Sequence, residues 1–427
     1  PSSLRRMRLA ALLLSTLAGF ALAAPAAAEP PRRVVSINLC TDQLLIARGE
    51  RIESVGPYDD DPVDVDLSNH TVLPGLIDCH AHLIGEVESG HGYAALVQRT
   101  GAQEALSGVR NARDTIMAGF TSVRDVGTFR AFVDVALRDA IEAGDVLGPR
   151  MLCAGAYVTS SGGGGDVTGL APDVDAVVPR DLRFGVANSP DEVRKAVREI
   201  LHGGADFIKV IATGAVLTEG TVPSAPEFSE PEIRAAVEEA ALYETHVAAH
   251  AHGAEGIKRA VRAGVRSIEH GSLMDDESIA LMAEHGTFLV ADVWMGDWSI
   301  EQGEREGWSP DVMRKLRETT DVQREGFAKA VEAGVRIAFG TDSGTYPHGM
   351  NAKQFASMVK YGMAPLEAIR SATVVAAELL GWRDRVGALE PGLFADLVAV
   401  EGDVMNDVDL LTDVAFVMKG GRVVSAT

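Results

Sequence analysis

The chain has 427 residues, 46% of them hydrophobic and 23% charged, enough for a large buried core and for more than one average domain. Its formal net charge of −22 argues against nucleic acid and against anionic membrane surfaces as partners. The cysteines, Cys40, Cys79 and Cys153, are too few for a disulfide scaffold, and buried thiols are expected.

The first residues differ from the rest. Arg5, Arg6 and Arg8 precede the apolar run "LAALLLSTLAGFALAA", which is followed by "APAAAEPP". A charged start, a short apolar stretch and an Ala-x-Ala site read as a signal peptide over residues 1–28. The mature chain is therefore expected to be periplasmic or secreted, with no membrane attachment after processing. Residues 32–75 then carry short β-like runs, the first part of a small β-sandwich.

From residue 76 a rhythm of apolar strand and amphipathic helix begins. The candidate strands, in order, are "GLIDCH", "FTSVRDV", "MLCAGAY", "DFIKVIA", "VAAHAH", "RSIEH", "TFLVADV" and "RIAFGTD". Helices such as "SPDEVRKAVREILHGG" open on a capping serine before proline, and others stop at Gly264 and Gly334. Eight strands alternating with helices predict an α/β chain folded as a parallel (β/α)8 TIM barrel over residues 76–384. Residues 385–427 return to short strands and complete the β-sandwich from the other chain end. The stretch "SSGGGGD", residues 160–166, lacks the Lys-Ser/Thr of a phosphate loop and reads as a mobile loop at the barrel mouth.

Barrel enzymes place their chemistry at the C-terminal strand ends. The first strand ends in His80 and His82, two apart and therefore on one face. The fourth carries Lys209, the fifth His250 and His252, the sixth His270 and the eighth Asp342. Imidazole and carboxylate oxygen suit a divalent metal such as zinc. An ammonium cannot bind one, so Lys209 must be neutral or modified to belong. His250 and His252 compete for one position; His252 abuts Gly253, which places it in the loop as a supporting or substrate-contacting group and leaves His250 as the ligand. Glu255 reads as a first-turn helix carboxylate. Looser candidates for the pocket wall are His91, Tyr157, Asp292, Trp294, Trp298 and Tyr346.

The stretches "PGLIDCHAH", "TSVRDVG", "AAHAHG", "SIEHG", "FGTDSG", "AIRSAT…AAELLG" and "GALEPGLFADLVAV" resemble the amidohydrolase superfamily in order and spacing. Within it the chain looks closest to secreted imidodipeptidases and to amidohydrolases that hydrolyse ochratoxin A. The resemblance implies two divalent ions, usually zinc, with His80, His82 and Asp342 on one and His250 and His270 on the other. It implies that Lys209 reacts with carbon dioxide and bridges the two as a carbamate. Two such ions lower the pKa of a shared water, and Asp342, with His252 as the next candidate, would carry its proton to the leaving nitrogen. The expected substrate is a small-molecule amide, an N-acyl amino acid or dipeptide with a free carboxylate. A homo-oligomer is also expected. The alternative enzyme is a cyclic amidase or deaminase, echoed by "HGAE" at residues 252–255. The opening "RRVVSINLCTDQL" instead resembles the start of periplasmic cobalamin-binding proteins, which raises a binding or metal-carrier protein as the other class.

Overall fold

The computed structural model describes residues 32–38, 41–57, 62–85 and 94–426. The signal peptide, Cys40 and His91 lie outside the described residues.

The chain opens with β1 (Arg32–Asn38), β2 (Thr41–Arg48), β3 (Arg51–Pro57), β4 (Val65–Leu67) and β5 (His70–Pro74). The first four form one sheet in the order β3-β2-β1-β4. The stretch that resembles a binding protein is therefore the β1–β2 hairpin of this sheet. At the other chain end lie β14 (Leu397–Glu401), β15 (Phe416–Lys419) and β16 (Arg422–Ala426), which join β5 in a second sheet, β16-β15-β14-β5. Leu45, Ile52, Leu67 and Val72 from the first end meet Leu397, Phe416 and Met418 from the second in one apolar cluster. That is a sandwich built from both ends of the chain.

Between them lies the barrel. Its strands are β6 (Leu76–Ala81), β7 (Phe120–Asp125), β8 (Arg150–Cys153), β9 (Tyr157–Val158), β10 (Ile208–Ile211), β11 (Val247–Gly253), β12 (Ser267–Leu273) and β13 (Phe288–Val290). They are almost wholly buried, as continuous apolar runs covered by helices on one side and a packed interior on the other should be. Two departures from the expected strands have local causes. The third strand is split: β8 pairs with β7, and β9 pairs with β10. The eighth, residues 336–342, makes isolated bridges and no regular ladder. Phe339 gives its N–H to the carbonyl of Ser371, and Ala372 takes the N–H of Ile77, so helix residues interleave with the expected ladder. The ring is nonetheless carried through this segment. Leu289 donates to Arg336 at 2.8 Å on one side, and Cys79 donates to Phe339 at 2.8 Å on the other.

The helices stop and start where the capping residues stand. Ser189 accepts from the N–H of Glu192 ahead of the helix Pro190–His202, and Ser229 forms a capping box with Glu232 ahead of Glu230–Ala241. Gly264 closes Ala254–Ala263 in the left-handed conformation, at φ 96°. Glu255 lies in the first turn of that helix, as read from the sequence, and pairs with Arg259 at 2.9 Å.

Candidate active site

The strand ends bring His80, His82, Lys209, His250, His252, His270 and Asp342 together on the wall of one cavity. Each imidazole has one ring nitrogen tied to the protein. His80 donates from Nδ1 to the Glu269 carboxylate at 2.9 Å, and His82 donates from Nδ1 to the Gly127 carbonyl at 2.7 Å. His250 uses Nε2, which donates to the carbonyl of Gly214 at 3.4 Å. His270 donates from Nδ1 to Asp292 at 3.2 Å, and His252 Nδ1 meets the Ser272 hydroxyl at 2.8 Å. Fixing one nitrogen fixes which face of the ring is free as a ligand.

The free nitrogens converge. Nε2 of His80 and Nε2 of His82 each lie 3.3 Å from the same Asp342 oxygen. His80 Nε2 is buried and makes no hydrogen bond, a donor atom left over inside the protein. Potential ligand atoms of His80, His82 and Asp342 lie within 4.8 Å of one another, and so do those of His250, His252 and His270. Both groups fit a divalent ion. Backbone geometry helps to aim them: His270 and Asp342 sit at φ 69° and 57°, left-handed conformations that turn each side chain out of its strand register.

One expectation is corrected. His252 is in strand β11, not in the following loop. Two residues on from His250 it shares that residue's face, pairing with β12 resumes at Gly253 after a register shift, and Thr213 Oγ1 accepts its backbone N–H. Its ring lies nearly parallel to that of His270, with centroids 4.8 Å apart.

Electrostatics keep these groups ready to bind a cation. Burial, then Lys209, lowers the pKa of His80; burial also drives His250 and His252 well below the ordinary imidazole value, so both rings are neutral. Burial opposes ionisation of Asp342, yet the close approach of His80 and His82 to its Oδ1, each at 3.3 Å, holds its carboxyl well below the ordinary range. Lys209, almost wholly buried, falls to about 8, chiefly from burial. Near neutral pH an appreciable fraction of its amine is therefore unprotonated.

Beneath the histidines lies a layer the sequence reading passed over. Arg124 is fully buried and donates to the Cys79 carbonyl at 2.6 Å, to Ser267 Oγ at 3.0 Å and to Glu269 at 2.7 Å. Glu269 thus joins Arg124 to His80. Burial works against its ionised form, but Arg124 and His80 hold its pKa below the ordinary value. The signal was present: "TSVRDV" and "SIEHG" each place a charge inside a strand with no solvent face.

The cavity has a volume of about 380 Å³ and a largely apolar wall that includes Leu96, Phe129, Leu170 and Trp308. Tyr157 lines it as expected and donates to the Gly127 carbonyl at 3.0 Å. Trp294, Trp298 and Tyr346 do not line it. They pack on one another, with Trp294–Tyr346 centroids 4.9 Å apart and Trp298–Tyr346 centroids 6.0 Å apart, so they brace the wall from behind. Asp292 stands behind His270. The glycine-rich stretch is pinned, contrary to the mobile loop expected. Gly164 donates to Glu227 at 2.8 Å and Gly162 to Asp166 at 2.8 Å, and Gly164 and Gly165 form part of the cavity wall.

Comparison with known proteins agrees with this geometry. A model of the amidohydrolase family matches residues 71–424. The chain is 34% identical over 376 residues to an ochratoxinase of Aspergillus niger, covering 83% of this chain and 76% of that protein. It is 27% identical over 399 residues to an imidazolonepropionase of Pseudomonas putida, covering 84% and 87% respectively. Among solved structures it resembles a Xaa-Pro dipeptidase with methionine in its active site, with a TM-score of 0.86 and 37% identity over 93% of this chain and all of that one. With the family pattern spanning the barrel and the flanking strands of the sandwich, the chain belongs to the amidohydrolase family.

Proposed function

We propose that this amide-hydrolysing enzyme cleaves N-acyl amino acids or dipeptides with a free carboxylate, ochratoxin A among them. The observation that carries the reading is the set of imidazoles, each tied by one nitrogen and open at the other, around Asp342 and Lys209 at the floor of an apolar cavity. His80, His82 and Asp342 would hold one divalent ion, zinc by the chemistry of its donors, and His250 and His270 a second. Lys209, buried and easily neutralised, would attack carbon dioxide through its amine and lose a proton, and the resulting carbamate would lie between the two. When bound, such ions supply Lewis acidity toward the scissile carbonyl and lower the pKa of water. Asp342 takes the proton of the attacking water and hands it to the leaving nitrogen. His252, held by Ser272, supports His270 or contacts substrate. The apolar wall receives the acyl group, and Thr128, Thr168 and Ser309, which line the same cavity, are the candidates to donate to a carboxylate. The deaminase alternative loses its acid, because Glu255 is exposed and paired with Arg259.

The test is metal content together with turnover of metal-loaded protein on N-acyl amino acids, dipeptides and ochratoxin A. Two ions per chain and release of a free amino acid are expected. Lys209→Ala should lose at least one ion and most activity. Two ions with no turnover on any member of the panel would overturn the substrate class; full metal and activity in Lys209→Ala would overturn the bridge. Export is proposed as well, and a mature N-terminus near Glu29 by mass spectrometry is its check.

A further inference from the structure

One carboxylate on the cavity wall has no part in the donor set. Glu104 lies in the first turn of the helix Gly101–Met117, is only 3% exposed and lines the cavity with Ile84, Leu96 and Phe129. Its Oε2 accepts from Arg130 Nε at 3.1 Å. Its Oε1 is buried and, among the described residues, has no hydrogen-bond partner. The other nitrogens of Arg130 are directed elsewhere, to Asp181 at 2.6 Å and to the carbonyls of Leu96 and Arg99 at 3.0 and 3.2 Å, and none of them bonds to Oε1. A buried acceptor of this kind is unfavourable until a donor reaches it. Among the described residues, the wall supplies no cation for the purpose. Its one lysine is Lys209, within the donor set, and no arginine lines it. Its other charged residue outside that set is again an acid, Glu219, exposed at the cavity edge. With no described residue supplying that donor, a ligand can bring it, and the field of an acidic wall on a chain of net charge −22 favours one that is positively charged.

We propose that Glu104 is a specificity-determining residue whose Oε1 accepts a hydrogen bond from a cationic nitrogen, an ammonium or guanidinium, on the substrate's side chain. The inference rests on the amide-hydrolase reading for the bond that is cut, and adds which side chain accompanies it. A ligand lacking the donor, such as one with the phenylalanine side chain of ochratoxin A, leaves the acceptor unpaired and is the poorer substrate of the two kinds.

The experiment compares N-acetyl-L-lysine with N-acetyl-L-norleucine, which has nearly the same length and no charge, on metal-loaded protein at pH 7.5. The wild type should favour the lysine compound by about tenfold or more in kcat/KM, mainly through KM. Glu104→Gln keeps the shape and an acceptor for Arg130, and should bring that ratio close to one; Glu104→Asp, which withdraws the oxygen by one methylene, should lower it by about threefold or more. A ratio unchanged in both variants, or no lysine preference in the wild type, overturns the proposal. Should neither compound turn over, the hydrolase reading fails by itself, and calorimetric binding of L-lysine against L-norleucine to the same proteins decides for Glu104. A lysine preference lost in Glu104→Gln supports the role; equal binding rejects it. Thermal melts establish that each variant is folded before either comparison is made.

Discussion

Glu269→Gln offers a sharp test of how the donor set is held. Glu269 and Arg124 are both completely buried, and their ion pair is 2.7 Å long. Removing the charge of one partner strands the other in the interior, and breaking a buried pair from one side costs roughly 3–5 kcal/mol. Glutamine retains one acceptor, and Arg124 keeps Ser267 Oγ at 3.0 Å and the Cys79 carbonyl at 2.6 Å, so the lower end, about 3 kcal/mol, is the expectation. The effect should also reach the site. The new amide N–H would face His80 Nδ1, which now donates, and would favour the tautomer with its proton on Nε2, the atom turned toward Asp342. Metal affinity should then fall by about 10- to 100-fold, as for other partners that orient a ligand. Urea denaturation and metal retention against a chelator measure the two effects. The double variant Arg124→Met, Glu269→Gln removes both charges and should regain at least about 1 kcal/mol over the single one. If Glu269→Gln melted within about 1 kcal/mol of wild type and kept its metal equally well, the layer under His80 would be mere packing.

Burial raises Glu227 from 4.5 to about 7, so the folded chain holds a proton there that the unfolded chain has released. Its contribution to stability is greatest below pH 4.5 and is lost as pH rises to about 7. Glu227→Gln should therefore gain on wild type by roughly 2–3 kcal/mol between pH 5 and pH 8 in urea melts; a pH-independent difference would contradict the linkage. Lys315, 1% exposed, donates to the carbonyls of Thr218 at 2.5 Å and Ala215 at 3.3 Å, tying down residues that line the cavity. Lys315→Met should cost about 2 kcal/mol and raise KM more than it lowers kcat, as steady-state kinetics can show. At Gly421, φ is 70° and an added Cβ would run into the carbonyl of Gly49, so Gly421→Ala should lower the melting temperature by several degrees.

Much of this architecture is legible in the chain itself, because apolar runs of strand length end in histidine, lysine or aspartate and then give way to capped helices. That logic located His80, His82, Lys209, His250, His270 and Asp342, all of which share one cavity wall. It misplaced His252, since a histidine before glycine reads as the start of a loop, whereas β11 runs on through both residues and resumes its pairing with β12 at Gly253. It passed over Glu269 and Arg124 because a charge beside a histidine or an aspartate draws less notice than its neighbour. It took Trp294 and Trp298 for pocket walls, while the tryptophan that lines the cavity is Trp308, on the far side of a helix ending at Gly307. Spacing in sequence shows which residues follow one another; it does not show which of several aromatics faces inward once helices cross.

The sandwich has a consequence for how the chain is made. Its first sheet and β5 are synthesised before any of the barrel, yet β5 pairs with β14, and Leu45, Ile52 and Val72 are covered by Leu397, Phe416 and Met418. These contacts join residues more than three hundred positions apart, so they are among the last that a growing polypeptide can form. Until then a strand-rich apolar surface remains uncovered on the nascent chain, the kind of surface that pairs with other copies. A stop codon placed between residues 385 and 396 would leave the donor set intact in sequence and remove that cover altogether. Such a product should reach the insoluble fraction, although every residue of the candidate donor set is retained.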